Sequence, residues 1–192
     1  GQYKDGTTDI TRTIILGNSD EEKKDRFTRV LKGHIAIATH YFKFGTKGSD
    51  IDYLARKSLS EINCDYDHGT GHGIGSFLNV HEGPQRIAKK SEIKSEKIMK
   101  GMIISNEPGY YKENHYGIRI ENLLTVKRKN LNKLQFETIS FAPIDRDLIN
   151  KNLLSHKEIL WLNKYHSKVY RKIHPYLSSA EKLWLKQVTK AI

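Results

Sequence analysis

The sequence predicts an α+β fold, and three features carry that expectation. Two early segments place apolar residues at the helical period, short β-prone runs separated by turn signals fill the middle, and two capping boxes punctuate the end. In chain order, Asp5-Gly6 is a hairpin turn signal, followed by a predicted strand over residues 9–16 (DITRTIIL), rich in threonine and isoleucine. Ser19-Asp20-Glu21 opens a helix whose residues Phe27, Val30, Leu31 and Ile35 share one face. The pattern continues it to about Phe42 and stops it before Gly45. A second helix carries Ile51, Leu54, Ala55 and Leu59, with Ser49 or Asp50 as its cap. A lysine-rich stretch at 89–100 reads as surface. Strands are expected at 102–105 (MIIS), 117–126 (GIRIENLLTV) and 136–143 (FETISFAP), with a turn at Glu107-Pro108-Gly109. Beyond Pro143 the chain reads as helices. Ser155 with Glu158, and Ser178 with Glu181, match the capping-box pattern, and Leu162, Tyr165, His166, Val169 and Ile173 form one apolar face ended by Pro175. The expected division is an α+β unit over 1–130 and a mostly helical extension over 131–192.

Composition narrows the function. A chain of 192 residues can bury a core of its own, and 37% apolar with 29% charged residues is a globular balance. No apolar run approaches the roughly 20 residues of a membrane span, so no membrane partner is expected. Cys64 stands alone, which excludes an internal disulfide and makes a reducing cytoplasm the expected location. The formal charge of +11 raises nucleic-acid binding, but the lysines interleave with glutamates and form no stripe with aromatics. A solvated surface, with no nucleic-acid partner, is the expectation. The chain opens on Gly1 without a methionine, and its first hairpin arm is short, so a fragment is expected.

The chemistry concentrates in residues 68–84, HGTGHGIGSFLNVHEGP. Glycine at positions 69, 71, 73 and 75 makes a helix very costly there, at roughly 1 kcal/mol per glycine relative to alanine. Alternate glycines instead suit an extended or turning backbone that other groups approach closely. Asp9, His72, Glu107 and Glu121 each fall where a strand would end or turn. Together they form a hard ligand set suited to manganese, iron(II), cobalt or zinc rather than copper or a structural zinc. Singly, each has a plainer explanation: Asp9 as a turn acid, Glu107 as a cap on the Pro108-Gly109 turn, Glu121 as an ion-pair partner of Arg119.

The wording of four blocks goes further. GTTDITRT, HGTGHGIGSFLNVHEGP, SNEPGYY and GIRIEN, in this order, closely resemble the signature blocks of the pita-bread metallopeptidases. That superfamily holds aminopeptidase P, prolidase and methionine aminopeptidase. Methionine aminopeptidases lack an equivalent of His68 and have a shorter gap between the two later histidines. The spacer Ser76-Phe77-Leu78-Asn79-Val80 and the tail FETISFAPIDRDLI followed by LSHKEILWLNKYH resemble aminopeptidase P of the long, three-domain kind.

The resemblance implies a pita-bread (creatinase/aminopeptidase) fold, truncated at its N-terminus and followed by the helical extension. It implies metal-dependent removal of the first residue from peptides with proline in second position. It makes His72 the imidazole ligand, Asp9 and Glu121 the carboxylates bridging two metals, and Glu107 a ligand of one of them. It gives catalytic roles to His68 (proton shuttle or substrate holder), His81 (substrate contact) and Glu107 (proton acceptor from the attacking water), with Arg119 orienting a carboxylate. The implied cofactor is a divalent metal, manganese first, with zinc, cobalt and iron as alternatives; the family binds two ions. The family's first aspartate ligand, in an Asp-Ser-Gly block, matches a position before Gly1, so impaired activity and a single complete metal position are expected here. Three other readings stay open: a peptidase-like protein-binding module or degenerate fragment, a prolidase, and a nucleic-acid binder. Trp161, Leu162, Tyr165 and Trp184 serve either the domain's own core or a homodimer interface in the C-terminal region.

Overall fold

The chain opens with a hairpin of two-residue strands, β1 (Gln2–Tyr3) and β2 (Gly6–Thr7), in the computed structural model, which describes residues 1–90 and 96–192. Tyr3 pairs with Gly6, so the turn is Lys4-Asp5, one residue ahead of the Asp5-Gly6 expected. The strand expected over 9–16 does not form a ladder. Among the described residues its backbone bridge is Thr11 to Glu121. The reason lies in the side chains. Thr13 Oγ1 accepts the Arg119 N–H at 2.9 Å and donates to the Arg119 carbonyl at 3.1 Å, taking the place of a main-chain rung.

Helix α1 (Glu21–Ala38) begins at Asp20, whose side chain accepts the Lys23 N–H at 2.8 Å, and Glu21 and Glu22 suit the positive end of its dipole. Phe27, Val30, Leu31 and Ile35 are all buried. The helix stops at Ala38, short of Phe42. Tyr41–Lys43 is drawn into the sheet as β3, where Phe42 pairs with Leu134 and turns into the core. Helix α2 (Asp52–Ser60) follows a 3-10 turn at Gly48–Asp50. Asp50 accepts the Lys47 N–H at 2.9 Å, so it caps that turn rather than α2, which starts after Ile51 without a side-chain cap. The two helices pack closely at Gly33: a Cβ there would lie 2.1 Å from the Ala55 carbonyl oxygen.

The glycine-rich segment contributes β4 (Gly71–His72), paired with β5 (Arg86–Ile87). Residues 91–95 of the lysine-rich stretch lie outside the described residues; Lys90, Lys97 and Lys100 are exposed and Ile98 is buried. The remaining strands are β6 (Ile103–Asn106), β7 (Gly109–Lys112), β8 (Tyr116–Arg119), β9 (Asn122–Arg128) and β10 (Lys133–Thr138). An antiparallel sheet of order β3-β10-β9-β6 forms the centre, and β7 and β8 make a separate hairpin. The strand expected over 117–126 is therefore two strands, broken at Ile120-Glu121. Ile120 N–H turns to the Pro108 carbonyl at 3.3 Å and Glu121 N–H to the Thr11 carbonyl at 3.0 Å.

Helices α3 (His156–Ile173) and α4 (Ser179–Val188) carry the two capping boxes the sequence announced. Leu162, Tyr165 and Val169 are buried in one cluster with Phe27, Val30 and Leu31 of α1, and His166 is buried as well. A second cluster, including Ile37, Ala55, Ile104, Leu124 and Leu134, lines the sheet, and Trp161 packs against both. Of the four large residues singled out near the end, Trp161, Leu162 and Tyr165 thus serve the chain's own core, while Trp184 is 57% exposed. Among the described residues no helix is long and apolar enough to cross a membrane.

Candidate metal centre

Two strand ends deliver two of the acids together. β6 and β9 run antiparallel, and their last pair is Asn106 with Asn122. Glu107 continues beyond the first and Glu121 precedes the second, so both leave the sheet at one end. There the Glu107 N–H bonds to the Thr70 carbonyl at 2.8 Å and the Glu121 N–H to that of Thr11, which draws in the two loops that carry His72 and Asp9. β4 lies very close to β6. A Cβ on Gly71 would sit 2.0 Å from the Ser105 carbonyl oxygen, so only glycine permits this approach. Ser105 finishes the arrangement: its hydroxyl accepts the His72 N–H and donates to Glu107 Oε1, both at 2.9 Å.

Of the three acids and one imidazole expected to act together, Glu107 and Glu121 gather with His72, and Asp9 meets the same imidazole. His72 Nε2 lies 3.1 Å from Glu107 Oε1 and 3.4 Å from Asp9 Oδ2. Ligand atoms of His72, Glu107 and Glu121 all lie within 4.8 Å of one another, as do those of Asp9, His72 and His81. His81 is exposed, its ring 4.3 Å from that of His72 in an edge-on arrangement. His72 Nδ1 faces the Gly73 carbonyl at 3.0 Å, and its Nε2 faces two carboxylate oxygens.

The charges fit a cation. Burial works against a charged His72, but the hydrogen bond to Glu107, the Gly73 carbonyl and the charges of Glu107 and Asp9 outweigh it and hold the imidazole above its ordinary value. Burial alone would raise Glu107; the bonds from His72 and Ser105 and the charge of Arg119 pull it below the usual carboxylate range. Glu121 is pushed up to about 7, by burial and by the negative charges of Glu107 and Asp9, although Thr11 donates to its Oε2 at 2.5 Å. Its other oxygen, Oε1, is buried and has no hydrogen-bond partner among the described residues. Three carboxylates and an imidazole nitrogen, with one oxygen of Glu121 left unpartnered, form a donor set that a divalent cation satisfies.

The remaining expected residues line the approach. His68 Nδ1 faces the Gly69 carbonyl at 2.8 Å, and its Nε2 accepts from Tyr111 Oη at 2.8 Å. Arg119 Nε donates to the same phenol oxygen at 2.8 Å, and its Nη1 lies 3.5 Å from Glu107 Oε2. Arg119 therefore pairs with Glu107, not with Glu121 as the plainer reading of that acid had it. Burial holds His68 below its ordinary value. Thr11, Ser105 and Tyr111 were not singled out from the sequence. Thr11 and Ser105 each stand two positions from an expected ligand inside a signature block, on the same side of an extended chain, and that spacing was the available signal.

The sequence model of metallopeptidase family M24 matches residues 1–128, and that of the C-terminal region of peptidase M24 matches residues 132–192. The chain belongs to metallopeptidase family M24. Its relatives include a probable Xaa-Pro aminopeptidase P of Coprinopsis cinerea, 46% identical over 200 residues, which cover 100% of this chain and 32% of that protein. Aminopeptidase P2 of Arabidopsis thaliana is also 46% identical, over 199 residues covering 100% of this chain and 28% of its own length. Among solved M24 structures, the X-prolyl aminopeptidase of Caenorhabditis elegans, described as a cytosolic enzyme with a di-nuclear active site, superposes with a TM-score of 0.93 at 38% identity, covering 100% of this chain and 32% of that one. The prolidase of Pyrococcus furiosus gives 0.61 at 29% identity over 73% of this chain and 39% of its own. The pita-bread fold is thus the M24 fold seen here, and the chain spans about a third of the length of the M24 relatives it matches.

Proposed function

We propose that this M24 chain carries the metal centre of an Xaa-Pro aminopeptidase, which removes the first residue of peptides with proline in second position. The observation that carries the reading is that His72 meets Glu107 and Glu121 on one side and Asp9 on the other, with Glu121 Oε1 buried and unpartnered. The names of the relatives at 46% identity support the substrate class. We assign these four residues to one divalent cation, manganese first, with zinc, cobalt and iron as alternatives. When bound, such a cation polarises a substrate carbonyl and supplies a nucleophilic water near neutral pH.

The chain's own groups have separate tasks. Glu107, held by His72 and Ser105, is placed to take a proton from the attacking water. Arg119 fixes the outer Glu107 oxygen and, through Tyr111, orders His68. His68 is thereby presented as a hydrogen-bonding group for the substrate backbone, and the exposed His81 as a second substrate contact. We assign residues 1–130 to the catalytic domain and 131–192 to its extension. Location in the cytoplasm is supported by the lone Cys64 and by the description of the C. elegans enzyme. Exposed Leu183 and Trp184 on α4 support pairing of two copies through the C-terminal region.

The test is hydrolysis of an Xaa-Pro-Xaa tripeptide, an Xaa-Ala-Xaa tripeptide and an Xaa-Pro dipeptide by the manganese-loaded protein and by Glu107→Gln. Metal-dependent release of the first residue from the Xaa-Pro-Xaa peptide alone, lost in the variant, supports the reading. Preference for the dipeptide, or cleavage indifferent to proline, contradicts it.

A further inference from the structure

Behind the carboxylates lies a buried polar assembly that the roles above do not use. Its centre is Arg12, whose guanidinium reaches six oxygens. Nε donates to the Pro143 and Ala142 carbonyls at 2.9 and 3.3 Å, and Nη1 to those of Thr11 and Glu121 at 2.8 and 2.6 Å. Nη2 donates to Asn122 Oδ1 and Tyr165 Oη at 2.7 Å and to the Ala142 carbonyl at 2.9 Å. Every acceptor is a neutral oxygen. The fork is spent on geometry rather than on a counter-ion, which the rigid, five-donor guanidinium does better than any other side chain.

The second member is Tyr165 of α3. It is buried, and besides accepting from Arg12 its hydroxyl accepts the Ala142 N–H at 3.2 Å and lies 3.1 Å from Asn122 Oδ1. Asn122 in turn donates to His34 Nε2 at 3.1 Å, while His34 Nδ1 donates to the Asn106 carbonyl at 3.1 Å and Asn106 Nδ2 to the His34 carbonyl at 2.9 Å. Asn106 and Asn122 are the last rung before Glu107 and Glu121. The assembly therefore holds the backbone at Asn106, just before Glu107, and at the Glu121 carbonyl and Asn122, and one of its anchors belongs to a helix of the C-terminal region.

We propose that Arg12 and Tyr165 are positioning residues through which helix α3 fixes the Glu121 backbone, and hence the geometry of the metal centre. This rests on the reading of that centre given above. Removing the Tyr165 hydroxyl frees one arm of Arg12 and one partner of Asn122, loosening the Glu121 carbonyl that Arg12 holds. Loss of groups that orient metal ligands typically weakens affinity about 10- to 100-fold.

Cobalt(II) is the probe, titrated into the full chain and followed by its visible absorption, with thermal unfolding in parallel. The variants are Tyr165→Phe, Arg12→Lys, Glu107→Gln and Val169→Ala; the last removes buried bulk from the same helix outside the assembly. The expected result is a cobalt affinity at least about 10-fold weaker and a shifted band in Tyr165→Phe and in Arg12→Lys. Val169→Ala should keep the wild-type spectrum despite its lower Tm. Should Tyr165→Phe fail to fold, the Arg12→Lys spectrum and affinity decide the question. Wild-type cobalt spectra and affinity in the folded variants overturn the proposal alone. No cobalt uptake by the unmodified chain, with Glu107→Gln indistinguishable from it, overturns the metal-centre reading and this proposal with it.

Discussion

His72 Nε2 lies 3.1 Å from Glu107 Oε1, and the contact is set by a third side chain, Ser105, whose hydroxyl bonds both the His72 main chain and the Glu107 carboxylate. The imidazole comes from a glycine-rich strand and the acid from a strand end. The two glutamates are fixed by backbone bonds that neighbouring segments supply, Thr70 to Glu107 and Thr11 to Glu121. The centre is therefore a product of main-chain geometry, with the side chains as its visible part.

Ser105→Ala should weaken divalent-metal affinity about 10- to 100-fold, because it frees Glu107 and loosens β4. The same change leaves the buried His72 N–H without an acceptor and costs about 1–3 kcal/mol of stability. Isothermal titration with manganese and urea denaturation measure the two effects. Unaltered manganese affinity would show that Ser105 does not position these ligands.

Gly71→Ala addresses the backbone directly. Its Cβ would meet the Ser105 carbonyl at 2.0 Å, a distance relieved only by pushing β4 from β6. The expected cost is about 1–3 kcal/mol in urea denaturation, with a loss of manganese affinity beyond that of a surface control such as Gly17→Ala. Gly17 has an open surround, and its positive φ of 86° is strained for alanine without touching the site. Equal manganese affinity in the two variants would contradict the close-approach argument.

Two buried histidines make stability fall in acid. Burial, with the nearby Arg12 charge, pushes His34 down to about 3; burial, with Arg146 and Arg12, pushes His166 down to about 4. Below the ordinary value of about 6.5 the unfolded chain binds protons that the folded one refuses, so stability is full above that pH and declines as the pH drops toward 3–4. The decline is at most about 1.4 kcal/mol per pH unit for each histidine. Urea unfolding between pH 7 and 4.5 should show it, with a shallower slope in His34→Gln. Parallel slopes for the variant and wild type would remove His34 from the explanation.

Much of the fold was legible because local chemistry decided it. The capping boxes at Ser155 and Ser178, the helix start at Ser19-Asp20-Glu21 and the buried face of α1 are all short-range signals, and each appears where the sequence placed it. The errors have long-range causes. Tyr41–Lys43 left the helical pattern because a sheet edge beside β10 captured it. The run at 117–126 broke because Pro108 and Thr11, distant in sequence, take the hydrogen bonds of Ile120 and Glu121. The segment at 9–16 holds its place through Arg12 and Thr13 side chains, which no periodicity reveals. At the centre, Asp9, His72, Glu107 and Glu121 were readable from the wording of their blocks. Thr11, Ser105 and Tyr111 were not, since a serine, threonine or tyrosine beside an acid is commonplace until a fold sets its direction.

The most direct measurement is an anomalous difference map at the manganese edge from crystals of this chain grown with manganese. The account predicts one strong peak bounded by Asp9, His72, Glu107 and Glu121, at about 2.0–2.3 Å from their ligand atoms. A peak elsewhere on the surface with this cluster empty at saturating manganese, or the four side chains turned away from one another, would contradict it.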